Sequence, residues 1–219
     1  MPTRQHYYEQ LNKLQMHIKE MGAYVVKALE QSVRALNDRD ARLAGEVVDH
    51  DSSINKLELN IDKECAILIA EEQPVARDLR LILNAMRTSH TLERIADNAV
   101  HIAKSVLRLE GENFIAVRGD MQRAAGIAIG MVRDSLDVFL SLDRAQAEEI
   151  AKRDNEVDAI YSAIFKEMIS RMEHNPKNVS HALSLLFVCR RFERIADHAT
   201  HICEGAIFVE TGEYVDLNL

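Results

Sequence analysis

Two twelve-residue segments hold the side chains best suited to chemistry. ERIADNAVHIAK begins at Glu93 and ERIADHATHICE begins at Glu193; they lie 100 residues apart and agree at eight of twelve positions. In each, a glutamate, an aspartate and a histidine recur at i, i+4 and i+8: Glu93, Asp97 and His101, then Glu193, Asp197 and His201. On an α-helix these three positions span about 80° of the circumference, so they form one stripe. Two carboxylates four residues apart repel by roughly a few tenths of a kcal/mol even when exposed. An arginine, a proton or a metal ion must offset that repulsion.

The arginine solution is the ordinary one. Arg94, Arg190 and Arg194 are each spaced three residues from Asp97, Glu193 and Asp197, and a lone acid pair on a helix is most often such a salt-bridged solvent face. Repetition in corresponding places favours the metal. A second acidic set strengthens it: Asp51 is followed at i+4 by Asn55, and Asp154 by Asp158. Measured from the two interior proline turns, these residues stand level with the acids of the ERIAD segments. Whether the faces converge depends on helix rotation, which the sequence leaves open. Converging, Asp51, Glu93 and Asp97, or Asp154, Asp158, Glu193 and Asp197, offer three or four oxygen ligands. Oxygen donors suit Mg²⁺, Mn²⁺ or Ca²⁺, and an imidazole from His101 or His201 would admit Fe or Zn. Glu58 and Asp62 continue a polar stripe that reads as solvent face.

The elements that position these residues are helices. Three prolines and eight glycines in 219 residues give too little turn punctuation for a β-protein. The duplication extends well beyond the ERIAD segments. Pro74 and Pro176 correspond, each placed to open the helix that carries an acidic stripe. Asp40 and Asp143 correspond as N-caps, and Ser32 and Ser135 near the ends of the preceding helices. The first helix carries a heptad stripe of Leu11, Leu14, Ile18, Met21, Val25, Ala28, Ser32 and Ala35. Its counterpart runs Met121, Ala124, Ala128, Met131, Ser135, Val138 and Leu142. The fold class is therefore all-α: a tandem pair of antiparallel three-helix bundles, residues 1–112 and 113–219, with Glu110 to Gly119 as the linker.

Composition narrows the function. The net charge is −8, and no basic stripe of the kind that tracks nucleic acid is present. The densest basic cluster, Arg190, Arg191 and Arg194, reads as ordinary ion-pair partners. Three cysteines without a CxxC pair suggest a reducing compartment. The opening MPTRQHYYEQ is too polar for a signal sequence, and no apolar run approaches a membrane span. A cytoplasmic protein that does not span the membrane is expected.

Two stretches carry a family resemblance. EEQPVARDLRLILNAMRTSHTLERIADNA, from Glu71, and SLLFVCRRFERIADHATHICE, from Ser184, resemble the paired signatures of the PhoU family of phosphate-transport regulators. The resemblance implies a negative regulator of phosphate uptake and starvation signalling. Its partners would be the ATPase subunit of a phosphate ABC transporter and a membrane sensor histidine kinase. It also implies metal ligation by Glu93/Asp97, Glu193/Asp197 and Asp154/Asp158, with Asn55 replacing an acid in the fourth pair. Ala96 and Ala196 stand where the family often has glycine, and His201 where asparagine is common. A non-enzymatic adaptor, with a homodimer as the expected assembly, is the leading reading. A ferritin-like di-metal enzyme needs Glu-x-x-His pairs, and no glutamate here has a histidine three residues later. A purely structural scaffold is the remaining alternative.

Overall fold

The structure, a computed structural model, describes residues 4–108, 119–175 and 179–218. The expected division between residues 112 and 113, most of the linker, and Pro176 lie outside the described residues. Among the described residues seven helices run in order: α1 Arg4–Asp38, α2 Ala41–Glu72, α3 Ala76–Arg108, α4 Asp120–Ser141, α5 Arg144–Lys152, α6 Asp154–His174 and α7 Val179–Thr211. Among the described residues there is no strand.

The heptad stripes become the core. Leu11, Leu14, Ile18, Met21, Val25, Ser32 and Ala35 of α1 are buried, as are Met121, Ala124, Ala128, Met131, Ser135 and Val138 of α4. Ala28 is only half-buried, and Leu29 takes the inward position beside it. A straight helix drifts about 20° per heptad from a strict seven-residue repeat, enough to exchange adjacent residues on the buried face. Ser32 and Ser135 sit fully buried in equivalent places, each hydroxyl donating to the carbonyl three residues earlier, Leu29 at 2.8 Å and Val132 at 2.9 Å.

The N-caps form as spaced. Asp40 accepts from the Leu43 amide at 2.9 Å, and Asp143 from the Gln146 amide at 3.1 Å. Two expectations need correction. Pro74 does not open α3: Gln73 closes α2 in the left-handed region at φ 47°, Pro74 and Val75 make the turn, and α3 begins at Ala76. The second unit also has four helices, because the counterpart of α2 is divided at Arg153 into α5 and α6. There the Arg153 amide donates to Ile150 at 3.0 Å and the Glu156 amide to Arg153 at 3.1 Å, i→i−3 bonds that tighten the chain by a turn. The Arg153 side chain reaches back to α4, pairing with Asp134 at 2.5 Å. It crosses Gly130, where a Cβ would stand 2.6 Å from the guanidinium.

The units share one apolar core rather than two. α3 packs against both α1 and α2, and α7 against α4, α5 and α6, while α3 and α7 also pack on each other and α1 on α4. The helices bearing the acidic stripes are thus the central pair. Gly205 on α7 lets the Asn84 side chain of α3 approach, its Oδ1 lying 2.1 Å from where a Cβ would be.

Candidate functional site

α2 and α3 bring the acids of the first unit into one electrostatic neighbourhood. The Glu93 carboxyl is pushed above its usual range by burial, then by Asp97, Glu58 and Asp51, against the pull of Arg94. Asp51 is raised by burial and by Asp97, and lowered by its bond from Asn55 and by Lys104. Asn55 Nδ2 reaches Asp51 at 3.5 Å, which leaves Asp51 Oδ1 and Asn55 Oδ1 buried without hydrogen-bond partners. Asp51 thus lies within electrostatic range of Glu93 and Asp97, although it lines one cavity and they line another.

The second unit gathers more charge. Asp154 is only 6 % exposed and Glu193 only 8 %. Burial, then Asp197, Asp158 and Glu193, push the Asp154 carboxyl up to about 7. Burial and Asp197 push Glu193 to about 7 as well, with Arg190 opposing. Asp197 is raised by burial and Asp158, with His201, Arg190 and Arg194 pulling the other way. Asp154 Oδ1 and Glu193 Oε2 are buried without partners. Four carboxylates thus act on one another, with His201 in electrostatic range. Buried carboxylates are ordinarily paired or bound to metal, so these orphaned oxygens have the chemistry of ligands for a hard divalent cation. Among the described residues, however, no three His, Cys, Asp or Glu side chains are closed into a set that could hold a metal ion. His101 is exposed, and its imidazole is held below its usual range by burial and by Arg191.

Of the three spaced arginine pairs only one forms: Arg190 bonds Glu193. It also lies over the Tyr161 ring at 5.5 Å. Arg94, Arg191 and Arg194 face a cavity of about 310 Å³ on the α3–α7 seam, which the first-unit residues Glu93, Asp97 and His101 line as well, with Asn98 and His198. Burial, then His201, Arg194 and Arg94, push the His198 imidazole down to about 4. Sequence reasoning passed over this cavity, because its residues come from helices paired only by the packing of the two units. Glu58 and Asp62 were read as solvent face, yet His90 bridges them at 3.2 Å and 3.0 Å and so ties α3 to α2.

Comparison with known proteins agrees with this architecture. The sequence pattern of the PhoU domain matches twice, over residues 18–106 and 121–206. A phosphate-specific transport system accessory protein PhoU homolog of Clostridium acetobutylicum is 34% identical over 217 residues, covering 99% of both chains. Its namesake in Pseudomonas putida is 37% identical over 215 residues, covering 95% of this chain and 82% of that one. The crystal structure of PhoU from Pseudomonas aeruginosa superposes with a TM-score of 0.90 at 34% identity, covering 94% of this chain and all of that one. The structure of the phosphate transport system regulatory protein PhoU from Streptococcus pneumoniae gives 0.90 at 28% identity, covering 96% and 99%.

Proposed function

The chain belongs to the PhoU domain family, and from that footing we propose that it is a non-enzymatic, cytoplasmic regulator of phosphate transport. It represses phosphate uptake and starvation signalling by bridging the ATPase subunit of a phosphate ABC transporter and a sensor histidine kinase. The observation that carries this reading is full-length similarity to proteins named as phosphate-transport accessory proteins. No helix among the described residues is long and apolar enough to cross a membrane, so contact with a membrane kinase would run through the helical surfaces.

The acidic clusters are the control element within this reading. Asp154, Asp158, Glu193 and Asp197, with His201 at hand, would hold a divalent cation in the second unit. Asp51, Glu93, Asp97 and His101 form the weaker counterpart, since Asn55 supplies no charge. A bound cation would supply positive charge where the carboxylates now repel. Mg²⁺, Mn²⁺, Fe and Zn are the candidates. The chain's own residues contribute the rest: Arg190 holds Glu193, and burial of Asp154 and Glu193 keeps water from satisfying their oxygens. A homodimer is part of the same proposal, and native mass tests it.

The direct test is a pull-down of the kinase's cytoplasmic region and of the ATPase subunit by the purified full chain. Capture of both is expected, and capture of neither would overturn the adaptor role. The ferritin-like alternative predicts dioxygen consumption by an iron-loaded sample, which this reading does not.

A further inference from the structure

The geometry points to a ligand site on the α3–α7 seam, bordered by the first-unit acids Glu93 and Asp97, for a tetrahedral oxyanion of the phosphate type gripped by Arg94, Arg191 and Arg194. It stands apart from the adaptor reading, since it concerns what the isolated chain binds.

The three guanidiniums line one cavity of about 310 Å³, room for about ten water molecules at bulk density. Among the described residues none of them makes an ion pair within 4 Å, whereas neighbouring Arg190 does. Arg191 is half-buried and Arg94 and Arg194 are exposed, and a guanidinium partly withdrawn from water is stabilised by a ligand that brings a close, hydrogen-bonded counter-charge. Arg191 is also preset. Its Nη1 donates across the seam to Asn98 Oδ1 at 3.4 Å, and Asn98 is itself fixed by donating from Nδ2 to the Arg94 carbonyl at 2.8 Å. Asn98 is 4 % exposed, so this brace is part of the packed interface.

The ligand class follows from the donors. Guanidinium forks match oxyanions, and one planar carboxylate is satisfied by a single fork. Three forks from two helices suit an anion with acceptors in several directions. Glu93 and Asp97 also line the cavity, so it sets three guanidiniums against two carboxylates. A small, discrete anion fits that balance. A polyanion does not, because the chain carries a net charge of −8 and three arginines in one cavity make no extended basic track.

Isothermal titration of inorganic phosphate into the full chain tests the site, run once in chelator and once with magnesium. A parallel titration uses O-phosphoserine, which presents the same group as an ester. The Arg94→Gln/Arg194→Gln variant removes two exposed guanidiniums without touching the core, and Arg77→Gln/Arg108→Gln removes two exposed charges elsewhere as a control. Saturable phosphate binding, weakened about tenfold or more in the first variant and unchanged in the second, is the expected result, given the strength of charge-assisted bonds. Arginine-dependent binding of phosphoserine alone would support the site with a phosphoryl ester as its ligand. No binding of either probe in either condition, or equal loss in both variants, would overturn it.

Discussion

The buried acids decide most at the scale of single residues. Asp154 and Glu193 have carboxyl groups raised to about 7 from ordinary values of 3.8 and 4.5. A raised carboxyl means that the folded chain keeps protons the unfolded chain has already released. Without a cation, the contribution of these two carboxyls to stability should therefore be fully present below the ordinary carboxylate range and fall as pH climbs through about 7. Replacing Asp154 with Asn removes that repulsion. In chelator at alkaline pH the variant should be more stable by about 1 kcal/mol, a rise of roughly 2–4 °C in melting temperature for a chain of this size. Melts of both proteins at several pH values check this; an advantage of the variant that does not grow as pH rises would contradict it. These residues were legible as a spacing, because four-residue intervals place acids on one stripe whatever the surroundings. Their burial was not. It depends on helix rotation, and nothing local distinguishes Asp154, which is buried, from Asp158, which is exposed.

Helices and turns were read best where local chemistry dictates them. Asp40 and Asp143 cap because a short acceptor side chain before a helix satisfies free amides. Asp40→Ala should cost about 1 kcal/mol in chemical denaturation, and no change would mean that packing alone fixes the start of α2. The break at Arg153 carries no such signal: it holds neither proline nor glycine, and the Arg153 side chain there reaches back to α4. Pro74 was assigned to the helix, although the left-handed Gln73 and Ala76, at φ 47° and 50°, place it in the turn. Close approach is likewise invisible in one dimension. A Cβ on Gly22 would stand 2.5 Å from Leu136 on α4. Gly22→Ala should accordingly destabilise the α1–α4 contact by about 1–3 kcal/mol through overpacking. A neutral result in the same denaturation series would show that Leu136 moves aside freely.

The whole molecule is one core built from a duplicated unit. The duplication was plain in the sequence because Ser32/Ser135, Asp40/Asp143 and the ERIAD segments keep nearly one spacing. The pairing of α3 with α7 was not, since the contacts that tie them, Asn84 against Gly205 and Arg191 on Asn98, join residues about 100 positions apart and carry no local signal. That pairing places both acidic stripes and the arginine cavity at the centre, and it couples the units energetically. Calorimetry should accordingly give a single transition, and two resolved peaks would show that the bundles unfold apart. In the proposed function, cation control rests on the duplicated carboxylates. Elemental analysis of the purified chain, beside a variant with Glu93, Asp97, Glu193 and Asp197 all replaced by alanine, reads them directly. Near-stoichiometric metal in the wild type and its loss from the variant is the predicted result. Equal and negligible metal in two equally well-folded proteins would contradict it, and would leave the acids as electrostatics of the helix packing.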